Sequence, residues 1–265
     1  MKNNNRFAII TGATGGVGKA FSQLLAMRGY TLFLTGRSNE RLQAFQRFLT
    51  EKYAANVYFF AADLSDANQS ESLFEEILKK TDSVDLLVNV AGVDIQKAFV
   101  EYTQEKIVFQ SRVNFEAAVS LCHFSIKNKA EKLEIINISS VSGFYPMPYF
   151  AIYSATKNAL TSFSVSLREE MKGKNVRVTA VLPGAMPTRD DIKEQIKGQG
   201  LWGKLAAKSP LWVAEKSLRA VSKNKAKYIP GGWNKAMRIS TAWIPNAWRL
   251  KFIAKRWSKI SKDAF

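Results

Sequence analysis

Short apolar runs alternate with stretches of helical spacing through most of the chain. Phe7–Ile10, Thr31–Leu34, Val57–Ala61, Leu86–Val88, Glu134–Ile138, Arg177–Val181 and Tyr228–Ile229 are brief and mostly β-branched, aromatic or leucine, which predicts strands. Between them apolar residues recur at helical intervals. Val17–Gly29 carries Phe21, Leu24 and Leu25; Ser38–Tyr53 carries Leu42, Phe45 and Leu49; Ala67–Lys80 carries Leu73, Phe74, Ile77 and Leu78. Two longer helices are expected over 102–128 and 151–173. Strands that alternate with helices predict βαβ units and a parallel sheet covered on both faces. Right-handed crossovers make that an α/β, doubly wound, Rossmann-like sheet. No Pro- or Gly-rich linker divides residues 1–185, so one domain is expected.

Composition agrees with a folded body. The 265 residues are 46% hydrophobic, enough to fill a core. No apolar run reaches the ~18–20 residues that cross a bilayer. The first apolar patch, Phe7–Ile10, is too short for a signal-peptide core, which predicts an intracellular, cytoplasmic protein. Cys122 is the lone cysteine and lies in an apolar stretch, so it reads as an inert core thiol. One His and one Cys support no metal site.

Charge changes the picture. Residues 1–192 carry 22 Lys and Arg against 19 Asp and Glu, whereas residues 193–265 carry 17 against three. The body is nearly neutral and the tail is basic, so questions about partners fall on the tail.

The segment TGATGGVG, Thr11 to Gly18, follows the first predicted strand and opens the first predicted helix. That context fits a dinucleotide-binding turn, where glycines let the backbone approach a pyrophosphate at a helix N-terminus. Its spacing reads two ways: Gly12, Gly16 and Gly18, or Gly12, Gly15 and Gly18. After the second strand come Thr35, Gly36 and Arg37. A cofactor with a free ribose 2′-OH asks for an acidic residue there; Arg37 suits a 2′-phosphate instead, which favours NADP(H) over NAD(H).

Further polar groups fall at strand ends, where open α/β sheets bind ligands: Asp63-Leu64, Asn89-Val90-Ala91-Gly92, Ser139-Ser140 and Pro183-Gly184, with Thr188 beyond. Tyr153 and Lys157 stand four apart, one turn apart on a helix face. A lysine ammonium beside a phenol favours the phenolate and lowers a pKa that is ordinarily about 10. Tyr153 can then exchange a proton with a carbonyl oxygen, and the Ser140 hydroxyl can hold that oxygen in line.

With these motifs in order (TGATGGVG, DL, NVAG, Asn114, SS, YSATK, PGAMPT), the chain resembles the compact branch of the short-chain dehydrogenase/reductase family over about residues 5–230. The resemblance decides between the glycine readings: Gly12, Gly16 and Gly18 are the family's, and Gly15 is incidental. It implies a catalytic set of Asn114, Ser140, Tyr153 and Lys157. Asn114 would help place Lys157 and support a proton relay, and Lys157 would also hold the nicotinamide ribose. It implies cofactor contacts from Gly12, Thr14, Gly16, Val17, Gly18, Arg37, Asp63, Leu64, Asn89, Ala91, Gly92, Tyr153, Lys157, Pro183, Gly184, Met186 and Thr188. Asp63 would accept from the adenine amino group, and Pro183 to Thr188 would shape the nicotinamide end. Val90 departs from the family's usual asparagine, which removes one side-chain amide from that loop.

The pocket wall is expected from 93–99, 142–150 and 188–212, with Phe144, Tyr145, Met147, Tyr149, Trp202 and Trp212 as lining. That aromatic set points to a small apolar carbonyl or alcohol as substrate. Residues 1–232 are expected to form the catalytic domain and 233–265 a basic helical extension packed on or beside it. In that extension Leu250, Ile253, Trp257 and Ile260 make one helical stripe, with Lys251, Lys255, Lys259 and Lys262 beside it. Such a helix either packs on the body or a second subunit, or lies on an anionic membrane surface. No nucleic-acid motif accompanies its charge. The function is expected to be NADP(H)-dependent carbonyl–alcohol interconversion. The alternative is a cofactor-binding protein that acts mainly by membrane or protein interaction through its tail. The resemblance also implies a homodimer or homotetramer through the 102–128 and 151–173 helices.

Overall fold

The structure, a computed structural model, describes residues 6–188, 190–198, 205–258 and 263. Trp202, Lys259, Ile260 and Lys262 lie outside the described residues.

Seven parallel strands run in the order β3-β2-β1-β4-β5-β6-β7. They are β1 (Phe7–Ile10), β2 (Thr31–Gly36), β3 (Val57–Ala61), β4 (Val84–Asn89), β5 (Lys129–Ile138), β6 (Val176–Val181) and β7 (Lys227–Tyr228). The order reverses beside β1, which pairs with β2 on one side and β4 on the other. Ligand crevices form at such a switch point, outside the C-terminal strand ends. Each predicted strand is present. β5 starts five residues earlier than its apolar run, because Lys129–Lys132 is a charged, mostly exposed lead-in without alternation.

Alternate residues of each strand enter opposite cores, as the pleat requires. Ala8, Ile10, Leu32, Leu34, Leu86 and Val88 face one core, closed by helices α1 (Gly16–Ala26), α2 (Asn39–Tyr53) and α8 (Pro210–Ser222). Phe7, Ile9, Phe33, Leu87 and Ile135 face the other, closed by α3 (Ala67–Leu78), α5 (Ala117–Lys127) and α6 (Ala151–Glu170). Burial on both faces explains why these strands read as continuous apolar runs.

The helix expected over 102–128 is interrupted. α4 (Gln104–Ser111) passes into a π-helical turn, Arg112–Glu116, before α5 begins. The turn carries Asn114, a buried polar residue. After β6 come α7 (Asp190–Gly198) and α8; after β7 come α9 (Gly232–Ala242) and α10 (Asn246–Trp257). Among the described residues no helix is long and apolar enough to cross a membrane.

Candidate active site

The glycine turn is fixed by contacts that exclude side chains. Gly12 has φ +58°, in the left-handed region, and a Cβ there would lie 3.0 Å from the Ala91 backbone. A Cβ on Gly18 would run into the Gly12 carbonyl and sit 2.7 Å from Ala13 Cα. One on Gly16 would meet Thr188 Cγ2 at 2.8 Å. Gly15 has ordinary extended backbone, and a Cβ there would approach only the Gly12 carbonyl, at 3.3 Å. The geometric need therefore falls on Gly12, Gly16 and Gly18. Gly15 caps α1 without a side chain, and the first turn of α1 holds no acidic residue, so its positive end is open to an anion. This cradle fits a dinucleotide pyrophosphate.

Thr11 was not assigned a role from the sequence, yet it joins the turn to the next strand. Its buried Oγ1 accepts from the backbone N–H of Val90 and of Ala91, each at 3.0 Å. The Val90 side chain packs against the first core, so the loop keeps its form without the family's asparagine. Only its position, next to Gly12, could have singled Thr11 out.

In the NVAG segment the Asn89 side chain turns inward. Asn89 stands at the end of β4, but its side chain is committed inside the protein. Its Nδ2 donates to Asn137 Oδ1 at 2.9 Å and to the Ala118 carbonyl at 3.3 Å. Asn89 thus ties β4 to β5 and α5 beneath the loop, and it is Gly92 that comes close to Lys157 and Asn114. A Cβ on Gly92 would lie 3.1 Å from Lys157 Nζ and 3.2 Å from Asn114 Oδ1. Cys122, beside Asn89 and Asn137, is fully buried; burial pushes its thiol up to about 12, as an inert core cysteine should be.

Asn114 and Lys157 are held by named partners. Asn114 Oδ1 accepts from Val93 N–H at 2.7 Å, and Nδ2 donates to the Val93 carbonyl at 3.0 Å and to Thr156 Oγ1 at 3.2 Å. The π-turn aims this side chain inward, and such turns recur at functional sites. Lys157 is only 4% exposed, and its Nζ donates to the Ile138 carbonyl at 3.0 Å. Burial lowers its pKa to about 8, partly opposed by the Asp94 carboxylate. Nζ lies 5.7 Å from the centre of the Tyr153 ring. Ser139 Oγ donates to the Lys157 carbonyl at 2.7 Å and fixes α6 against β5. Ser140 Oγ accepts from Ser142 N–H at 3.1 Å and starts the 3₁₀ turn Val141–Phe144.

The structure also places the other residues expected to contact a cofactor. Thr14 Oγ1 lies 3.7 Å from where a Gly36 Cβ would stand, at the end of β2. Val17 is buried in the first core behind the turn. Arg37 is exposed, with its guanidinium 5.7 Å from the Phe109 ring centre. Asp63 Oδ1 accepts from the backbone and hydroxyl of Ser65, while the Leu64 side chain is buried in the second core. The Pro183 carbonyl accepts from Val141 N–H. The Met186 carbonyl accepts from Thr188 N–H at 2.7 Å, which seats Thr188 against Gly16. Gly184 is overlain by Asn234 of α9; a Cβ there would be 2.8 Å from Asn234 Nδ2.

Several side chains expected to line the pocket pack against neighbouring elements. Trp212 lies on α8 and packs against the first core. Phe144 packs against a small cluster of Ala180, Leu182 and Ile229. The remaining loop is covered by the C-terminal segment. Arg238 lies over the Phe144 ring at 4.4 Å and Arg249 over the Tyr145 ring at 4.4 Å, and Tyr145 Oη meets Thr241 Oγ1. Trp257 stacks on Phe150, which in turn stacks on Tyr153 with ring centres 4.3 Å apart. Asp263 closes the arrangement with ion pairs to Lys97 at 2.8 Å and Lys106 at 2.9 Å. Tyr149 precedes Phe150 with φ +62°, a strained conformation for an aromatic residue and one that recurs at functional sites.

A buried lysine thus stands beside a tyrosine, near a glycine cradle at a parallel-sheet switch point. The family model described as short chain dehydrogenase matches residues 6–197, and the chain belongs to that family. It is 32% identical over 239 residues to the 3-oxoacyl-[acyl-carrier-protein] reductase FabG of Aquifex aeolicus, covering 87% of this chain and 95% of that protein. It superposes on L-sorbose reductase from Gluconobacter frateurii, solved with NADPH and L-sorbose, with a TM-score of 0.77 and 27% identity, over 86% of this chain and 95% of that one. It also superposes on the bulky-bulky ketone specific alcohol dehydrogenase of Comamonas testosteroni, with a TM-score of 0.74 and 26% identity, over 92% and 97% of the two chains. The chain is accordingly an NAD(P)-dependent oxidoreductase of CH–OH and carbonyl groups.

Proposed function

We propose that the chain is an NADP(H)-dependent reductase that interconverts an apolar ketone or aldehyde with its alcohol. One observation carries the reading: Lys157 is buried with its Nζ 5.7 Å from the Tyr153 ring centre. A nicotinamide cofactor held at the glycine turn would supply the hydride for the carbonyl carbon, or accept it in the reverse direction. Tyr153 gives its phenolic proton to the carbonyl oxygen as that oxygen gains charge. Lys157 stabilises the phenolate left behind and holds the nicotinamide ribose; with a pKa of about 8 it is mostly charged at neutral pH. Ser140 donates its hydroxyl to the substrate oxygen and fixes its direction. Asn114 secures Val93 and Thr156, and so the ground on which Lys157 and Tyr153 stand.

The absence of an acidic residue at 35–37 and the exposed Arg37 support NADP(H) as the preferred cofactor. The aromatic surroundings of Tyr153, namely Phe150 and Trp257, support an apolar substrate. That the relatives include a reductase of oxoacyl chains and a dehydrogenase of bulky ketones supports the same class. We read residues 1–232 as the catalytic domain and 233–265 as an extension that completes its pocket. We also read the protein as a cytoplasmic homo-oligomer joined through α4, α5 and α6.

The test is an NADPH-oxidation screen against bulky apolar ketones and aldehydes beside small polar ones. Turnover of the apolar set with NADPH, and weaker turnover with NADH, is the expected result. Turnover confined to polar carbonyls would overturn the substrate class, and equal use of NADH would overturn the cofactor preference.

A further inference from the structure

The inner face of the C-terminal segment is accounted for by the stacking of Trp257 on Phe150 and the Asp263 clamp. Its outer face is not. In α10 the stripe Leu250, Ile253 and Trp257 is half-buried, as its spacing suggested, so it rests on the protein. The opposite side carries Trp248, 72% exposed, and Phe252, 68% exposed, one turn apart on the same face. Trp243, just after α9, is 87% exposed and stands one turn beyond the exposed Ile239. Large aromatic side chains standing together in water are costly and mark a contact surface.

Charge selects the partner. Residues 232–258 hold six Lys and Arg and no Asp or Glu. Arg238 and Arg249 are turned onto Phe144 and Tyr145, while Lys251, Lys255 and Arg256 are exposed around Trp248 and Phe252. A symmetric contact between two copies would set this acid-free patch against itself and bring like charges together. Tryptophan and phenylalanine ringed by lysine suit instead the boundary between lipid headgroups and acyl chains, with an anionic surface to balance the charge.

We propose that the outer face of α9 and α10 seats on an anionic lipid bilayer. Because Trp257 of α10 stacks on Phe150, which stacks on Tyr153, this seating brings the Tyr153 site close to the membrane surface. The carbonyl substrate is then one that partitions into lipid. Only that last consequence rests on the reductase reading; the docking surface stands on its own residues.

The full chain is pelleted with vesicles of phosphatidylcholine alone and with vesicles that also contain phosphatidylglycerol. Binding to the anionic vesicles, falling as NaCl is raised, is the expected result. Trp248→Ser with Phe252→Ser lowers the partition at least ~10-fold, since each aromatic ring withdraws a large apolar area from water. Lys251→Gln with Lys255→Gln weakens binding and flattens its salt dependence. NADPH fluorescence titration of each variant stays at the wild-type value, which shows that the fold and cofactor site are intact. Failure of the wild type to pellet with anionic vesicles, or equal pelleting of the aromatic variant, overturns the proposal. So does a dimer, or a complex with duplex DNA, that the same substitutions break while vesicles are ignored. If vesicles bind but NADPH does not, the reductase reading falls and the docking surface remains.

Discussion

Trp257 lies over Phe150 with ring centres 6.2 Å apart and planes 20° apart, and through Phe150 it reaches Tyr153. A residue near the end of the chain is thereby part of the wall beside the proposed proton donor. Trp257→Ala should open that wall. KM for a bulky apolar ketone should rise about 10-fold or more, as the loss of a well-packed aromatic contact implies. The kcat for a small carbonyl should change little, because Tyr153 and Lys157 are untouched. Steady-state kinetics on both substrates decide the point; an unchanged KM for the bulky ketone would place Trp257 outside the pocket.

Lys157 sets a pH limit. Burial lowers its pKa to about 8, and the Asp94 carboxylate works the other way. Below that pH the ammonium stabilises the Tyr153 phenolate as its proton leaves; above it the charge is lost. Reductive kcat/KM should therefore be level below about pH 8 and fall above it. Asp94→Asn removes the opposing charge, lowers the Lys157 pKa further and should move the falling limb to lower pH. Profiles of the two proteins compared directly test this, and a limb that stays in place would remove Asp94 from the account.

Arg37 is expected to carry the cofactor preference. Arg37→Ala should weaken NADPH binding by about 10-fold or more, the scale of a charge-assisted contact, and leave NADH binding nearly unchanged. Fluorescence titration with each nucleotide measures both. Equal losses for the two would assign Arg37 to general positioning instead of the 2′-phosphate.

Thr11 bridges the glycine turn and the NVAG loop through one oxygen that accepts two backbone N–H groups. Thr11→Val keeps the shape and removes the acceptor. Two part-buried donors then lose their partner, at a cost of up to roughly 1 kcal/mol each. A lowered Tm that recovers partly with saturating NADPH is expected, as bound ligand favours the folded form. An unchanged Tm would mean that the loop is held from elsewhere.

The fold was legible because its information is local. Phe7–Ile10 and Val57–Ala61 are strands over the ranges their composition suggested; the first is buried on both faces, and the second, an edge strand, is half-buried on both, so each reads as an apolar run. Lys129–Lys132 was hidden because an exposed strand end is polar and has no period to see. The positions of Asn114, Ser140, Tyr153 and Lys157 stood out through the order of their motifs, but not the reason Asn114 points inward: a π-turn leaves no mark in helical spacing. The side-chain direction of Asn89 was also hidden, because its partner Asn137 lies 48 positions away, on the neighbouring strand β5. The stripe Leu250, Ile253 and Trp257 was visible as a stripe. That it reaches Phe150 follows from the tertiary path of α9 and α10, which no local pattern encodes.

The central claim is that Tyr153 donates the proton in an NADPH-dependent reduction. The direct measurement is NADPH oxidation by the wild type and by Tyr153→Phe on the same apolar ketone, with NADPH affinity read by fluorescence. The account predicts a loss of turnover of at least ~10²-fold with cofactor affinity kept, the scale of a removed general acid. Turnover retained by Tyr153→Phe at similar cofactor affinity would contradict it.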